Sequence, residues 1–174
     1  LVWGELPGAL CHCDAEIANL TRDLVEFIKR DYNHPCLMAW VPLNESWGVP
    51  GIHDNESQQS FANALYYLCK SLDSTRLVSA NDGWDMAKTD IFGIHDYDPD
   101  GAALRRRYSP ETFFQNLSTI RPSRHGLLAR GYSYEGQPVL ITEYGGIALK
   151  SQDKDGGWGY AQAEETPETL MKRY

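Results

Sequence analysis

The sequence has no apolar run of the roughly eighteen residues that a membrane-crossing helix requires, and no basic-then-apolar leader opens it. A soluble protein of bacterial cytoplasmic type, with no membrane partner, is the expectation. Positive charge is also short: 16 Lys and Arg face 24 Asp and Glu, for a net charge of −8. Such a balance repels phosphate backbones and argues against nucleic acid as a partner. Cysteine is sparse, with Cys11, Cys13, Cys36 and Cys69 irregularly spaced in a chain of 174 residues that is large enough to bury a core. Reduced thiols are expected rather than staples. Cys11-His12-Cys13 would make half of a metal clip, but no second Cys or His cluster completes it, and no His-Glu-x-x-His pattern occurs. No metal and no cofactor are predicted.

Aromatic residues, by contrast, are plentiful: five Trp, ten Tyr and five Phe. Trp and Tyr join an apolar ring to a polar handle, which suits sugar faces and ordinary cores alike. Hydrophobic spacing then sketches the elements. Leu1-Val2-Trp3-Gly4 reads as a buried strand closed by Glu5, Pro7 and Gly8. From Asp14, the residues Ile17, Leu20, Leu24, Phe27 and Ile28 recur at helical steps, and Asn33-His34-Pro35 stops that helix. Residues 37–43 read as a strand, Phe61, Leu65, Leu68 and Leu72 as a helical stripe, and residues 77–79 and 90–94 as two further strands. Ser109-Pro110-Glu111 has the chemistry of a helix start and would lead through Phe113, Phe114 and Leu117. Residues 139–141 are a fifth strand, and Thr166-Pro167-Glu168 opens a last helix. Short apolar strands alternating with amphipathic helices predict an α/β fold, a parallel sheet covered on its outside.

Several of these strands end directly in polar or aromatic residues: Asn44-Glu45, Asn81-Asp82-Gly83-Trp84, His95-Asp96-Tyr97 and Glu143-Tyr144. Parallel strands point their carboxyl ends the same way, so these groups should converge on one cleft. Two convergent glutamates suggest acid–base chemistry.

Arg30-Asp31-Tyr32-Asn33-His34-Pro35, the strand Met38-Ala39-Trp40-Val41-Pro42-Leu43 leading into Asn44-Glu45, and Pro138-Val139-Leu140-Ile141-Thr142-Glu143-Tyr144-Gly145-Gly146 together resemble glycoside hydrolase family 2. That family includes β-galactosidases, β-glucuronidases and β-mannosidases. The resemblance implies a TIM (β/α)8 barrel and a retaining exo-β-glycosidase that removes terminal β-linked sugars by double displacement. Glu45 matches the acid/base and Glu143 the nucleophile that forms the glycosyl-enzyme ester. Tyr97 matches the tyrosine that keeps Glu143 charged, and Asn44 the asparagine that binds the sugar 2-hydroxyl. The shared proton of the pair is expected on Glu45.

Around them, His95 either binds a sugar hydroxyl or is satisfied by the backbone, and Asp82 either orients a hydroxyl or simply forms the turn before Gly83. Trp84 and Trp158 either stack on a sugar ring or plug a core. Residues 153–160, rich in glycine around Trp158, suit a lid or a solvated loop. Arg105-Arg106-Arg107 reads as a solvated face that could steer an acidic substrate such as a uronide.

By the same resemblance the five strands are the third to seventh of the barrel, with the first, second and eighth outside residues 1–174. The missing initial methionine and the unfinished last helix fit a partial catalytic domain, expected to have weak or no activity alone. The remainder of the barrel, and a homo-oligomer of the full-length enzyme, are the expected protein partners, and carbohydrate the expected substrate. Two alternatives remain at this point: an endo-acting β-glycanase of a related barrel family, and an inactive carbohydrate-binding fragment.

Overall fold

The computed structural model of the chain describes residues 1–150 and 158–173. Its frame is five parallel strands, β1 (Val2–Glu5), β2 (Leu37–Val41), β3 (Leu77–Val78), β4 (Phe92–Asp96) and β5 (Val139–Tyr144). β1, β2 and β3 pair side by side in sequence order, and so do β4 and β5. Isolated parallel bridges, Asn44 to Asp82 and Gly83 to Ile94, carry the arc across the gap between the two sheets. The α/β expectation holds, as an arc without a closed barrel among the described residues.

Helix α1 (Asp14–Asp31) connects β1 to β2, and α2 (Glu56–Leu72) connects β2 to β3. The stripe read from the sequence is the buried face of α1, where Leu20, Leu24 and Ile28 point inward. Asn55 caps α2 by accepting from the backbone N–H groups of Ser57 and Gln58. Both helices pack over the strands in one apolar cluster that includes Leu24, Ile28, Trp40, Leu43, Leu65 and Cys69.

Below this core Arg76 donates to Asp73 (2.6 Å) and to the Leu37 carbonyl (2.9 Å), and the Trp40 indole N–H also donates to Asp73 (3.0 Å). Burial opposes the charge of Asp73, but bonds from Thr75, Arg76 and Trp40 outweigh it and hold the carboxyl well below its usual range. The turn after α2 is thereby fastened to the start of β2. Among the described residues no helix is long and apolar enough to cross a membrane.

The region after β4 departs from expectation. A helix that the sequence pattern missed, α3 (Gly101–Arg107), begins at Asp100, whose side chain accepts from the Ala102 N–H at 2.9 Å. The helix expected from Ser109 shrinks to the single turn α4 (Phe113–Asn116), whose N-cap, Thr112, makes no side-chain cap bond, while the Ser109 hydroxyl donates to the Glu111 carboxylate. A 3₁₀ turn (Pro122–Arg124) follows, and the last helix, α5, runs over Pro167–Arg173. Phe92 and Ile94 of β4 pack with Phe113, Ile120 and Leu127 in a second apolar cluster. Most of the glycine-rich stretch suggested as a lid lies outside the described residues.

Candidate active site

Because all five strands run the same way, the residues that follow them meet on one rim. After β2 the chain turns sharply, and Glu45 and Ser46 adopt left-handed φ angles of 48° and 61°. Neither is glycine, so the turn is strained and must be held by its surroundings. The segment after β3 holds it: the Glu45 N–H donates to the Asp82 carbonyl at 2.8 Å, and the Ser46 N–H to Asn81 Oδ1 at 2.9 Å. Asn81 Nδ2 returns bonds to Ser46 Oγ (3.0 Å) and to the Trp84 carbonyl (2.8 Å). On the opposite side the β4–β5 register slips, so that Ile94 faces Ile141 but His95 faces Glu143. Bulges of this kind re-aim side chains beside active sites.

One hydrogen-bonded chain links the rim. Asp82 Oδ1 accepts from Ser79 Oγ (3.0 Å) and Thr142 Oγ1 (3.1 Å), and Asp82 Oδ2 lies 3.1 Å from His95 Nε2. His95 Nδ1 lies 2.9 Å from Glu45 Oε1. The Tyr97 hydroxyl is 2.8 Å from that same Glu45 oxygen and also within hydrogen-bonding distance of Glu143 Oε2. Its single proton serves one carboxylate at a time. Polar atoms of Glu45, His95 and Glu143 come within 4.8 Å of one another. The bond between Glu45 and His95, and the contacts of both glutamates with the Tyr97 hydroxyl, account for this closeness.

The electrostatics follow from the contacts. Burial penalises a charge on His95, yet bonds to Asp82 and Glu45 outweigh it and lift the imidazole to about 9. Burial would raise Glu45, but hydrogen bonds from His95 and Tyr97 prevail and hold it below the usual glutamate range. The expected placement of the shared proton on Glu45 runs against these contacts, which favour an ionised Glu45 beside a protonated His95. Tyr97 is driven far above a normal phenol, first by burial and then by its bond to Glu143, so it stays a neutral donor.

Of the residues singled out from sequence, Asn44, Glu45, Asp82, His95, Tyr97 and Glu143 gather here. Asn44 Oδ1 is buried with no hydrogen-bond partner among the described residues, an acceptor ready for a donor. His95 is unavailable to a sugar hydroxyl because its ring is 0 % exposed and both nitrogens are engaged. Trp84 is likewise no open platform, being 6 % exposed with one face stacked on His125 at 4.4 Å. Trp158 is 76 % exposed and lies edge-on to Tyr160, which in turn stacks on Tyr97 at 3.8 Å.

Sequence reading placed Asn81 at the rim without a role, and gave none to Tyr160 or Glu5. Glu5 ends β1 and meets the same rule that selected Glu45 and Glu143. Burial, then repulsion from Glu143 and Asp82, raise its pKa. The basic run also needs correction, since Arg107 bonds both Asp96 and Asp98 and is no free charge. The arginines that line a concavity of about 330 Å³ beside Tyr97, without a carboxylate partner among the described residues, are Arg121 and Arg124.

Residues 14–158 match the model of the family described as "Glycosyl hydrolases family 2, TIM barrel domain". A β-glucuronidase of Streptococcus agalactiae is 30% identical over 125 residues, 71% of this chain and 20% of that protein. A putative β-glucuronidase of Formosa agariphila is 32% identical over 81 residues, 44% of this chain and 10% of that protein. The chain thus spans a tenth to a fifth of the length of these curated relatives. Among solved structures, a family 2 β-galacturonidase from Eisenbergiella tayi, bound to galacturonate, superposes with a TM-score of 0.62 at 22% identity, covering 87% of this chain and 27% of that one. The β-glucuronidase of Parabacteroides merdae superposes with a TM-score of 0.59 at 20% identity, over 97% of this chain and 21% of that one. At such identities the superpositions speak to the fold, and the family match, over most of the chain, to descent. The chain belongs to glycosyl hydrolase family 2, in its TIM-barrel domain.

Proposed function

We propose that this chain supplies the third to seventh strands of the barrel and both catalytic carboxylates of a retaining exo-β-glycosidase. The observation that carries the reading is the Tyr97 hydroxyl within reach of both Glu45 and Glu143. It keeps the two side chains close, with an oxygen of each inside the 4.8 Å cluster. Retaining enzymes place their carboxyl groups about 5–5.5 Å apart, whereas inverting ones need roughly 6.5–9.5 Å to admit a water. Glu143 attacks the anomeric carbon while Glu45 protonates the departing oxygen. Glu45 then deprotonates the water that releases the sugar. The unpartnered Asn44 Oδ1 beside Glu45 accepts from the sugar 2-hydroxyl, a bond that strengthens as positive charge develops on the ring. Apolar side chains exposed on the outermost strands, Val2 on β1 and Leu140 and Ile141 on β5, suit pairing with further strands of a whole barrel.

The substrate class we infer is a terminal β-linked uronide. The concavity next to Tyr97 is lined by Asp96 and Asp98, whose carboxylates Arg107 bonds, and by Arg121 and Arg124, so the carboxylate of an acidic sugar would find two further guanidinium groups there. The relatives named for glucuronides and galacturonides point the same way. In the full-length enzyme, Arg121→Ala combined with Arg124→Ala should lower kcat/KM for an aryl β-glucuronide at least tenfold more than for the matching β-glucoside. Equal losses on both substrates would refute the acidic specificity, and substantial turnover by Glu143→Gln would refute the glycosidase assignment.

A further inference from the structure

On the glycosidase reading, Glu45 has to deliver a proton, yet its surroundings hold it ionised. We propose that His95, braced by Asp82, is the positioning residue that stores the proton of Glu45 between turnovers. This rests on the retaining mechanism for its purpose, though not for the observations behind it.

The geometry selects a doubly protonated ring. Each His95 nitrogen faces a carboxylate oxygen, Nδ1 toward Glu45 at 2.9 Å and Nε2 toward Asp82 at 3.1 Å. An ionised carboxylate only accepts hydrogen bonds, so a neutral imidazole with one N–H would set a lone pair against one of them. Asp82 is itself fixed, buried and bonded by Ser79 and Thr142. The ring has little room to turn, because a Cβ on Gly83 would sit 3.0 Å from its Cγ and Nδ1, and Trp84 packs edge-on with centroids 6.0 Å apart.

The charged and titratable groups around it come from every strand end. Glu5 follows from β1, Glu45 from β2, Asp82 from β3, Tyr97 from β4 and Glu143 from β5, with Glu143 Oε1 3.6 Å from Nε2. His125, stacked on Trp84, is a further group whose charge favours ionised Glu45. Four carboxylates thus surround one imidazole, and the imidazolium offsets part of their mutual repulsion.

When substrate displaces water from the cleft, the His95 Nδ1 proton passes to Glu45 Oε1, leaving a neutral imidazole and a neutral carboxylic acid. The glycosidic C–O bond then breaks as Glu143 forms its bond to the anomeric carbon, and the Glu45 proton goes to the leaving oxygen. In the second half a water oxygen replaces Glu143 on that carbon. Its proton goes to Glu45 and back to His95 Nδ1, so each turnover returns the site to its starting charge.

The test begins on the full-length enzyme in the absence of substrate. Nitrogen-15 NMR of the histidine rings should show both His95 nitrogens protonated at pH 7, with deprotonation above pH 8, and Asp82→Asn should lower that midpoint by a unit or more. A His95 ring that is neutral at pH 7, or a midpoint that Asp82→Asn does not move, would overturn the proposal. The second arm uses the full-length enzyme. His95→Gln should lower kcat about 10²-fold or more for phenyl glycosides, which need a proton on departure, and far less for dinitrophenyl glycosides, which do not. Equal losses on both would mean that His95 only holds the structure, and would overturn the storage role. The retaining assignment itself is refuted separately, by activity in Glu143→Gln, which leaves the NMR result as it stands.

Discussion

Gly93 leaves the space that Asp82 occupies: a Cβ built on Gly93 would lie 1.7 Å from Asp82 Oδ1 and 3.2 Å from Ser79 Oγ. The glycine in β4 is therefore required by its neighbour across the sheet. Gly93→Ala should destabilise the fold by about 1–3 kcal/mol, the usual range for overpacking a close-packed site. Because the clash displaces the partner of His95 Nε2, the variant should also lower the His95 titration midpoint. Urea unfolding and ring NMR read the two effects, and wild-type values in both would contradict this packing account.

Tyr97 connects Glu45 and Glu143 through one hydroxyl. Tyr97→Phe keeps the ring and its stacking on Tyr160 but removes a hydrogen bond to a charged group, commonly a contribution of about 1.5–3 kcal/mol. A loss of roughly 10- to 100-fold in kcat is expected in the full-length enzyme. Unaltered kcat would remove Tyr97 from the site.

Stability should fall at both ends of the pH range, for different residues. His95 is raised in the folded chain, so its contribution is complete below about pH 6.5, the unfolded histidine value, and is lost as pH rises through about 9. Asp73 is depressed, so its contribution is complete above about 3.9, the unfolded aspartate value, and disappears as pH falls toward its lower folded value. In urea midpoints measured against pH, Asp82→Asn should flatten the alkaline limb and Asp73→Asn the acid one. Two limbs that respond to the opposite variants would contradict the assignment.

Much of this site was legible because its residues obey a positional rule: Asn44-Glu45, Asp82, His95, Tyr97 and Glu143 all stand at or just past the carboxyl end of a parallel strand. Glu5 satisfies the same rule and was passed over because it sits beside Pro7 and Gly8 and resembles a loop acid. Asn81 stands in a rim group too, but its role was hidden for another reason. Its work is to bond the strained turn at Ser46, a contact across 35 positions that no local pattern encodes. Trp84 misled because a rim position does not reveal which way a ring faces, and here His125 covers it. The protonation state was the least legible feature, since it depends on carboxylates from four other strand ends meeting around one buried imidazole. The α3 helix was hidden by its opening glycine and by Arg107, whose partners, Asp96 and Asp98, precede the helix.

The central claim is that Glu143 is the nucleophile and Glu45 its proton partner. Incubating the full-length enzyme with a dinitrophenyl 2-deoxy-2-fluoro-β-glucuronide, a substrate that forms the ester quickly and releases it slowly, and mapping the labelled peptide by mass spectrometry tests it most directly. The account predicts one sugar per active site, on the peptide containing Glu143 and on that side chain. A label on Glu45 or elsewhere, or turnover of the reagent with no covalent adduct, would contradict it.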